Sequence, residues 1–306
     1  ALPIFGSVNG SRLPFKRQRL AELLGFDGVV TNTRDAMWQA DMPVEIMSCV
    51  VAMSINLDRL CEDLQIWSTQ EFDLVDLADA YSRESVIMPQ KKNPYSLAFV
   101  RGSAGMMIGR WTSMANVGKT ISGQPDNRIF AYGEVPCALD DANRMVRLVA
   151  GVMRTLTVHV NVMAQRTNED YAQATDLAEI LMISTGISYL DAHRIVGEVV
   201  RSAAEKGISA AGISSKMIEK VAFRLFGKRI TFPTEHIRHA LQPRQIVATR
   251  TCVGGAAAGP VRAMIEQSRI SVAKSQRWRH KRASGLAKAE SGLLKHARVL
   301  AKDRLG

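Results

Sequence analysis

The segment PVEIMSCVVAMSINLDRLCEDLQIWS, residues 43–68, sets the architecture. Ile46, Val50, Met53, Leu57, Leu60 and Leu64 recur at steps of three and four, the period of an α-helix; Ile55 and Trp67 widen the apolar face beyond one stripe. A helix with so wide a face is buried on more than one side. Two further long helices are expected. Residues 96–121 form one, whose Gly102, Ala104, Gly105 and Gly109 would let a neighbouring helix approach closely. Residues 138–164 form the other, with Leu139, Ala142, Met145, Leu148, Val152 and Leu156 at helical spacing. No alternating strand pattern accompanies them, so the fold class is all-α, a long central helical bundle with a smaller C-terminal helical domain.

Residues 20–45 read as a short helix, a glycine turn and an extended stretch. Beyond Gln165 the helices shorten, with a break at Gly186. The glycine-rich 253–260 reads as a turn, because it lacks the preceding strand and the Lys-Ser/Thr of a phosphate loop. Three regions are expected: a partial central bundle over 1–164, a small helical domain over 165–267, and a basic helix or tail over 268–306.

Composition narrows the classes. The chain has 306 residues, 46% of them hydrophobic, enough for a sizeable core. No run of eighteen apolar residues appears, so no membrane span is expected, and the opening residues lack the basic-then-apolar order of a signal peptide. Cys49, Cys61, Cys137 and Cys252 are far apart and form no zinc pattern. Reduced thiols in a cytoplasmic protein follow, and neither metal nor cofactor is expected. The net charge of +11 is uneven. Residues 269–306 hold eleven of the forty Lys and Arg and two of the twenty-nine acids, so +9 of the +11 lies there. A solvated basic helix end is the first reading, and binding to an anionic surface or to RNA the second. Its one aromatic, Trp278, gives no interleaved stacking residues, and nucleic acid is not expected as a partner.

The chemistry is concentrated in ESVIMPQKKNP, residues 84–94, where Pro89 and Pro94 break the helical pattern. Lys91 supplies a cation and Asn93 an amide donor, a pair that suits a carboxylate. Beside them Ser85 can attack a carbonyl or, as an alkoxide held by backbone N–H groups and a cation, take a proton. No histidine stands in the context of a hydrolase nucleophile elbow.

The string SVIMPQKKNP (85–94) resembles the signature of the fumarase/aspartase superfamily of lyases, and most closely its argininosuccinate lyase branch. RLCEDLQIWSTQEF (59–72), AELLGF (21–26), ATDLAEIL (174–181), DAHRIVG (191–197) and VGGAAAGPV (253–261) resemble that branch as well. The resemblance implies a five-helix central bundle, packed as a homotetramer with a twenty-helix core, and anti elimination of an amine from a succinyl group to give fumarate, the chemistry of arginine biosynthesis. Carried over by motif, Ser85 is the base and Lys91 and Asn93 hold the fumaryl carboxylate. Met88 and Pro89 shape a closing loop.

The chain also departs from that pattern. The family's Ser/Thr-His-Asn and Thr-His-Thr-Gln segments do not occur in it, so a longer polypeptide or an N-terminal fragment is expected to complete the site. Glu84 and Val86 replace a glycine and a serine, putting a like charge next to Ser85. Ala98 replaces a glutamate that orients the catalytic histidine, Tyr95 replaces an aspartate, and Ala40 an arginine. Where the branch contacts its guanidinium group stand Arg128, Gly133 and Pro136; Arg128 would repel a guanidinium and attract a further carboxylate. Two functions are therefore expected as alternatives: a C–N lyase acting on an N-substituted aspartate, or a crystallin-like structural or regulatory homologue without the activity.

Overall fold

The computed structural model describes residues 10, 12, 14, 16–88, 90–119, 128–169, 171–227 and 229–303. The chain is all-α and divides into two compact units, Ala1–Val158 with Ser275–Gly306, and His159–Lys274.

In the first unit, α1 (Arg17–Leu23) and α2 (Thr33–Trp38) lead into α3 (Asp41–Trp67). The short strands β1 (Val75–Asp76), β2 (Arg83–Glu84) and β3 (Lys92–Asn93) precede α4 (Tyr95–Gly118) and α5 (Arg128–Thr155), and β4 (Thr157–Val158) follows. Helices α3, α4 and α5 pack on one another. Met47, Val50, Cys61 and Leu64 of α3, Leu97, Val100 and Met107 of α4, and Ala138, Met145 and Val152 of α5 form the buried seam. Arg101 bridges α4 to α3, with Nε 3.1 Å from Asp58 and Nη2 2.8 Å from Glu62, and Arg110 bridges α4 to α5 at 2.7 Å from Asp141. These pairs are part-exposed and contribute little energy, on the order of 0–1 kcal/mol each; their effect is on helix register.

Several local expectations change. The stretch before α3 is helical where an extended run was expected, because the Asn32 side chain accepts from the N–H groups of Arg34 (2.8 Å) and Asp35 (3.2 Å) and caps α2. Helix α5 starts at Arg128, not near Ala138, and carries Pro136 inside it. It ends at Thr155, since residues 157–158 pair with β1. That strand separates α5 from α6 (Val160–Glu169), so the expected boundary at 164/165 falls inside a helix and the first unit ends at Val158 instead. The polar loop expected over 122–136 lies outside the described residues from 122 to 127. Gly102, Gly105 and Gly109 of α4 make no close approach among the described residues: a Cβ added at any of them would meet nothing within 4 Å. The tight spots are Gly118, where it would come within 2.6 Å of Ala40 Cβ, and Gly151, where it would come within 2.1 Å of the Tyr81 hydroxyl.

The second unit holds α6, α7 (Ala174–Thr185), α8 (Tyr189–Glu205), α9 (Ser215–Phe226), α10 (Thr234–Ala240) and α11 (Pro243–Thr249). Leu177, Leu181, Ile195, Val199, Ile218, Phe232 and Ile237 form its core. Gly186, at φ +71°, ends α7 in a left-handed turn, as expected of the break there, and the Ser188 hydroxyl caps α8 by accepting from Asp191 N–H at 3.1 Å. Arg250 reaches Asp176 at 2.6 Å and Glu179 at 3.0 Å. Burial pushes the Asp176 carboxyl up, and Arg250 opposes that shift. Gly255 folds back so closely that a Cβ would lie 2.2 Å from the Arg250 carbonyl. Helix α12 (Ala258–Asp303) runs unbroken for 46 residues. The basic stretch 268–306 is thus no separate region: within the described residues it continues α12, and from Ser275 onward it belongs with the first unit. Among the described residues no helix is long and apolar enough to cross a membrane.

Candidate active site

The serine loop is the tip of a hairpin anchored at three points. Below it, β1 pairs antiparallel with β4, Val75 opposite Val158 and Asp76 opposite Thr157, which ties residues 75–76 to the end of α5. A single 3-10 turn, Asp79–Tyr81, follows. The Tyr81 ring lies against Gly151 of α5, and its carbonyl accepts from Ser96 Oγ at 2.6 Å in the first turn of α4. β2 then pairs with β3, Arg83 opposite Asn93 and Glu84 opposite Lys92. Ser85 N–H donates to the Lys91 carbonyl at 3.0 Å, and Lys91 N–H donates to the Met88 carbonyl at 3.0 Å, closing the tip.

Strand alternation follows from that register. Arg83 and Asn93 pair on one face of the hairpin and Glu84 and Lys92 on the other, and the bond from Ser85 N–H to the Lys91 carbonyl carries the ladder one step further. The three motif residues from the sequence therefore fall within one short hairpin. Ser85 Oγ accepts from the backbone N–H of Ile87 at 3.3 Å and of Met88 at 3.0 Å. Two backbone donors on one hydroxyl oxygen hold the turn and favour the anionic form of that oxygen. Lys91 is exposed and, among the described residues, is paired with no acid. Asn93 donates one Nδ2–H to the Arg83 carbonyl at 3.3 Å and keeps the other. Val86 and Ile87, 94% and 88% exposed, carry the tip out into solvent. Pro89 lies outside the described residues.

Register pairs Glu84, the like charge expected beside Ser85, with Lys92 across the hairpin. Arg128 opens α5, but its side chain lies outside what the structure describes, so its expected contact with a substrate carboxylate remains a proposal. Gly133 and Pro136 lie farther along the same helix. Ala98 is exposed in the first turn of α4 and offers no carboxylate there.

Two groups were not legible from the motif. Arg83 pairs with Asn93, its guanidinium 5.6 Å from the centre of the Tyr95 ring, a cation–π contact that occupies the position expected for an aspartate. Lys92, on the far face, is pinned by Asp79 at 2.8 Å and Asp76 at 3.3 Å. The adjacent lysines thus have different surroundings: one is free for a ligand and the other anchors the hairpin. Only the register distinguishes them; period-2 alternation through 83–85 and 91–93 is the signal that could have found it.

The anchor is expected to depend on pH. The hydrogen bond and charge of Lys92 hold the Asp79 carboxyl below its ordinary value, and Asp79 raises the Lys92 ammonium. A lowered carboxyl contributes above its unfolded value, about 3.9, and loses that contribution as pH falls through the lowered value. Hydrogen exchange over residues 83–93, corrected for intrinsic rates, should therefore quicken below about pH 4 and lose that dependence in Lys92→Met. An unchanged pH profile in the variant would show that the pair does not hold the hairpin. Among the described residues no group of His, Cys, Asp and Glu is placed to hold a metal ion.

Comparison with known proteins bears on this geometry. A family model described as lyase matches residues 2–109, which include the hairpin, and one described as argininosuccinate lyase C-terminal matches residues 171–248. An argininosuccinate lyase from Geobacillus sp. is 33% identical over 266 residues, covering 86% of this chain and 56% of that protein. Argininosuccinate lyase 2 of Shouchella clausii is 34% identical over 258 residues, 82% of this chain and 52% of that protein. The crystal structure of EDDS lyase in complex with formate is 30% identical and superposes with a TM-score of 0.88 over 98% of this chain and 60% of that one; a variant of that enzyme with bound fumarate matches equally well. A class II fumarase from Schistosoma mansoni, 16% identical with a TM-score of 0.56 over 73% of this chain and 43% of that one, shares the fold. The chain spans about half the length of the curated relatives it matches. With the serine hairpin inside the first matched segment and the shorter helices inside the second, the chain belongs to the fumarase/aspartase superfamily of lyases, in its argininosuccinate lyase branch.

Proposed function

We propose that this chain supplies the serine-loop part of a C–N lyase site that eliminates an amine from an N-substituted aspartate and releases fumarate. The observation that carries the reading is the hairpin that bonds Ser85 to Lys91 and pairs Arg83 with Asn93, with two backbone N–H groups on the serine oxygen. Ser85, as an alkoxide, takes the proton from the substrate Cβ. The electron pair left behind delocalises into the neighbouring carboxylate. Lys91 and the free Nδ2–H of Asn93 meet the doubled negative charge of that aci-carboxylate, which is greater than in the ground state, so their contribution falls on the barrier. The pair then returns to form the fumarate double bond as the C–N bond breaks, and the departing amine takes a proton from an acid. The superfamily's histidine-bearing segments supply that acid, and they are not part of this chain.

Assembly is part of the reading. Phe99 and Met106 are exposed on α4 in line with the open Gly102 and Gly109, and Ile55, Ile66 and Trp67 are exposed on α3. Small residues beside uncovered apolar ones suit helices of further subunits, as a homotetramer, or of an N-terminal fragment. Ala98 favours the second reading, a non-catalytic homologue, because no carboxylate stands at that turn to orient a histidine.

The amine half is proposed to be acidic. Arg128, Gly133 and Pro136 offer a guanidinium no acceptor, and similarity to EDDS lyase, one variant of which is described with bound fumarate, supports fumarate as the product. Fumarate release by the protein that contains this chain should favour aspartates carrying an N-carboxyalkyl group over argininosuccinate by at least about tenfold in kcat/KM. A preference for argininosuccinate would overturn the substrate assignment. Absence of fumarate from every substrate would support the non-catalytic reading.

A further inference from the structure

Helix α12 carries a feature that the hairpin chemistry does not use. Lys281, Lys288, Lys295 and Lys302 recur at every seventh residue, and the helix is unbroken through all four. Seven residues make two helical turns to within about 20°, so the lysines stay in one row, about 10.5 Å apart along the axis. Arg277 and Arg298 flank the row within an arc of roughly 100°. Between residues 277 and 302 there is a single acid, Glu290, and helical spacing puts it on the opposite side with Leu286, Leu293 and Leu300. All six cations are exposed, and among the described residues none is paired with an acid. Arg282, off the row, is by contrast held by Asp27.

The geometry points to a docking surface on residues 277–302 for the phosphate backbone of a double-stranded nucleic acid. The row is about 38 Å long and winds by only about 60° from Lys281 to Lys302, and a duplex presents a phosphate about every 1.7 Å of its axis, so cations spaced along a rod reach phosphates in any register. The sequence expectation of no nucleic-acid partner rested on missing aromatics. Trp278 is the one aromatic of α12, which argues against unpaired strands that bind by base stacking; a duplex backbone requires no stacking. A lipid surface fits less well, because an interfacial helix sinks its apolar side into the bilayer, and in α12 that side packs at Leu286 and Ala289 against Gly25. Charge complementarity agrees: +9 of the chain's +11 lies in residues 269–306.

The test is fluorescence anisotropy of the full chain with a labelled duplex DNA of about two helical turns and with the matching duplex RNA, over a series of salt concentrations. The expected result is binding that weakens steeply with salt. K281Q/K288Q/K295Q should lose at least about tenfold in affinity at low salt and lower the log–log salt slope by about three. Lys→Arg at the same three positions should keep the binding, and Arg279→Gln, on the opposite side, should leave it unchanged. Circular dichroism should show unchanged helicity, since none of the three lysines is buried or paired. No duplex binding, equal binding by the glutamine variant, or tighter binding to phosphatidylserine vesicles or to an acidic polypeptide would overturn the assignment.

Discussion

Ser85→Ala, made in the complete protein that contains this chain, is expected to lower the rate of fumarate formation by about 10²–10⁴-fold, the range for removal of a positioned general base. Fumarate binding should change by less than about threefold. Proton abstraction is felt only in the transition state, whereas the product is held by Lys91 and Asn93. The hydroxyl accepts from two N–H groups at the hairpin tip, so its loss also frees the Ile87 and Met88 amides. Both residues are exposed, and water can satisfy them, which keeps the structural cost small. Steady-state kinetics and equilibrium binding on the same preparation check both parts. Wild-type turnover in the variant would reduce the serine to loop structure.

Lys91→Ala should damage turnover and binding together. A fixed cation beside a carboxylate is worth about 10²–10³ in kcat when the charge on that carboxylate grows in the transition state, and its ground-state charge is held as well, so KM should rise too. Lys92→Ala is the informative companion. Its side chain is on the far face, pinned to Asp76 and Asp79, so it should loosen the hairpin and leave fumarate affinity nearly intact. Equal effects from the two lysines would mean that the register does not separate their roles.

The long helices were legible in the sequence because apolar periodicity over 43–68 is set by burial, and burial is what the pattern records. The break at Gly186 was legible because a left-handed turn suits glycine and few other residues. Helix α2 was missed because its only strong signal is a side-chain cap from Asn32 on a six-residue element. The start of α5 was missed because Pro136 argues against a helix interior, and the packing of Ala138, Met145 and Val152 overrides that local preference. At the site, Ser85, Lys91 and Asn93 were found by motif, yet the motif gave Lys92 no role and did not show that Glu84 pairs with it. Both gaps have one source: a hairpin only two residues deep on each strand gives so short an alternation that its faces can be assigned only once the pairing is known. The packing of α12 was equally invisible, since nothing in its sequence shows that Asp27 pairs with Arg282 across 255 positions.

The proton pathway itself can be followed in the reverse direction. The protein is incubated with fumarate and an amine in deuterium oxide, and the addition product is examined by proton NMR. If Ser85 mediates anti elimination, one deuterium enters one of the two Cβ positions, with a single relative configuration to the new C–N bond, and Ser85→Ala forms no product at a comparable rate. Product labelled equally at both Cβ positions, or single-site labelling that continues at the wild-type rate in Ser85→Ala, would show that the serine of this hairpin is not the base.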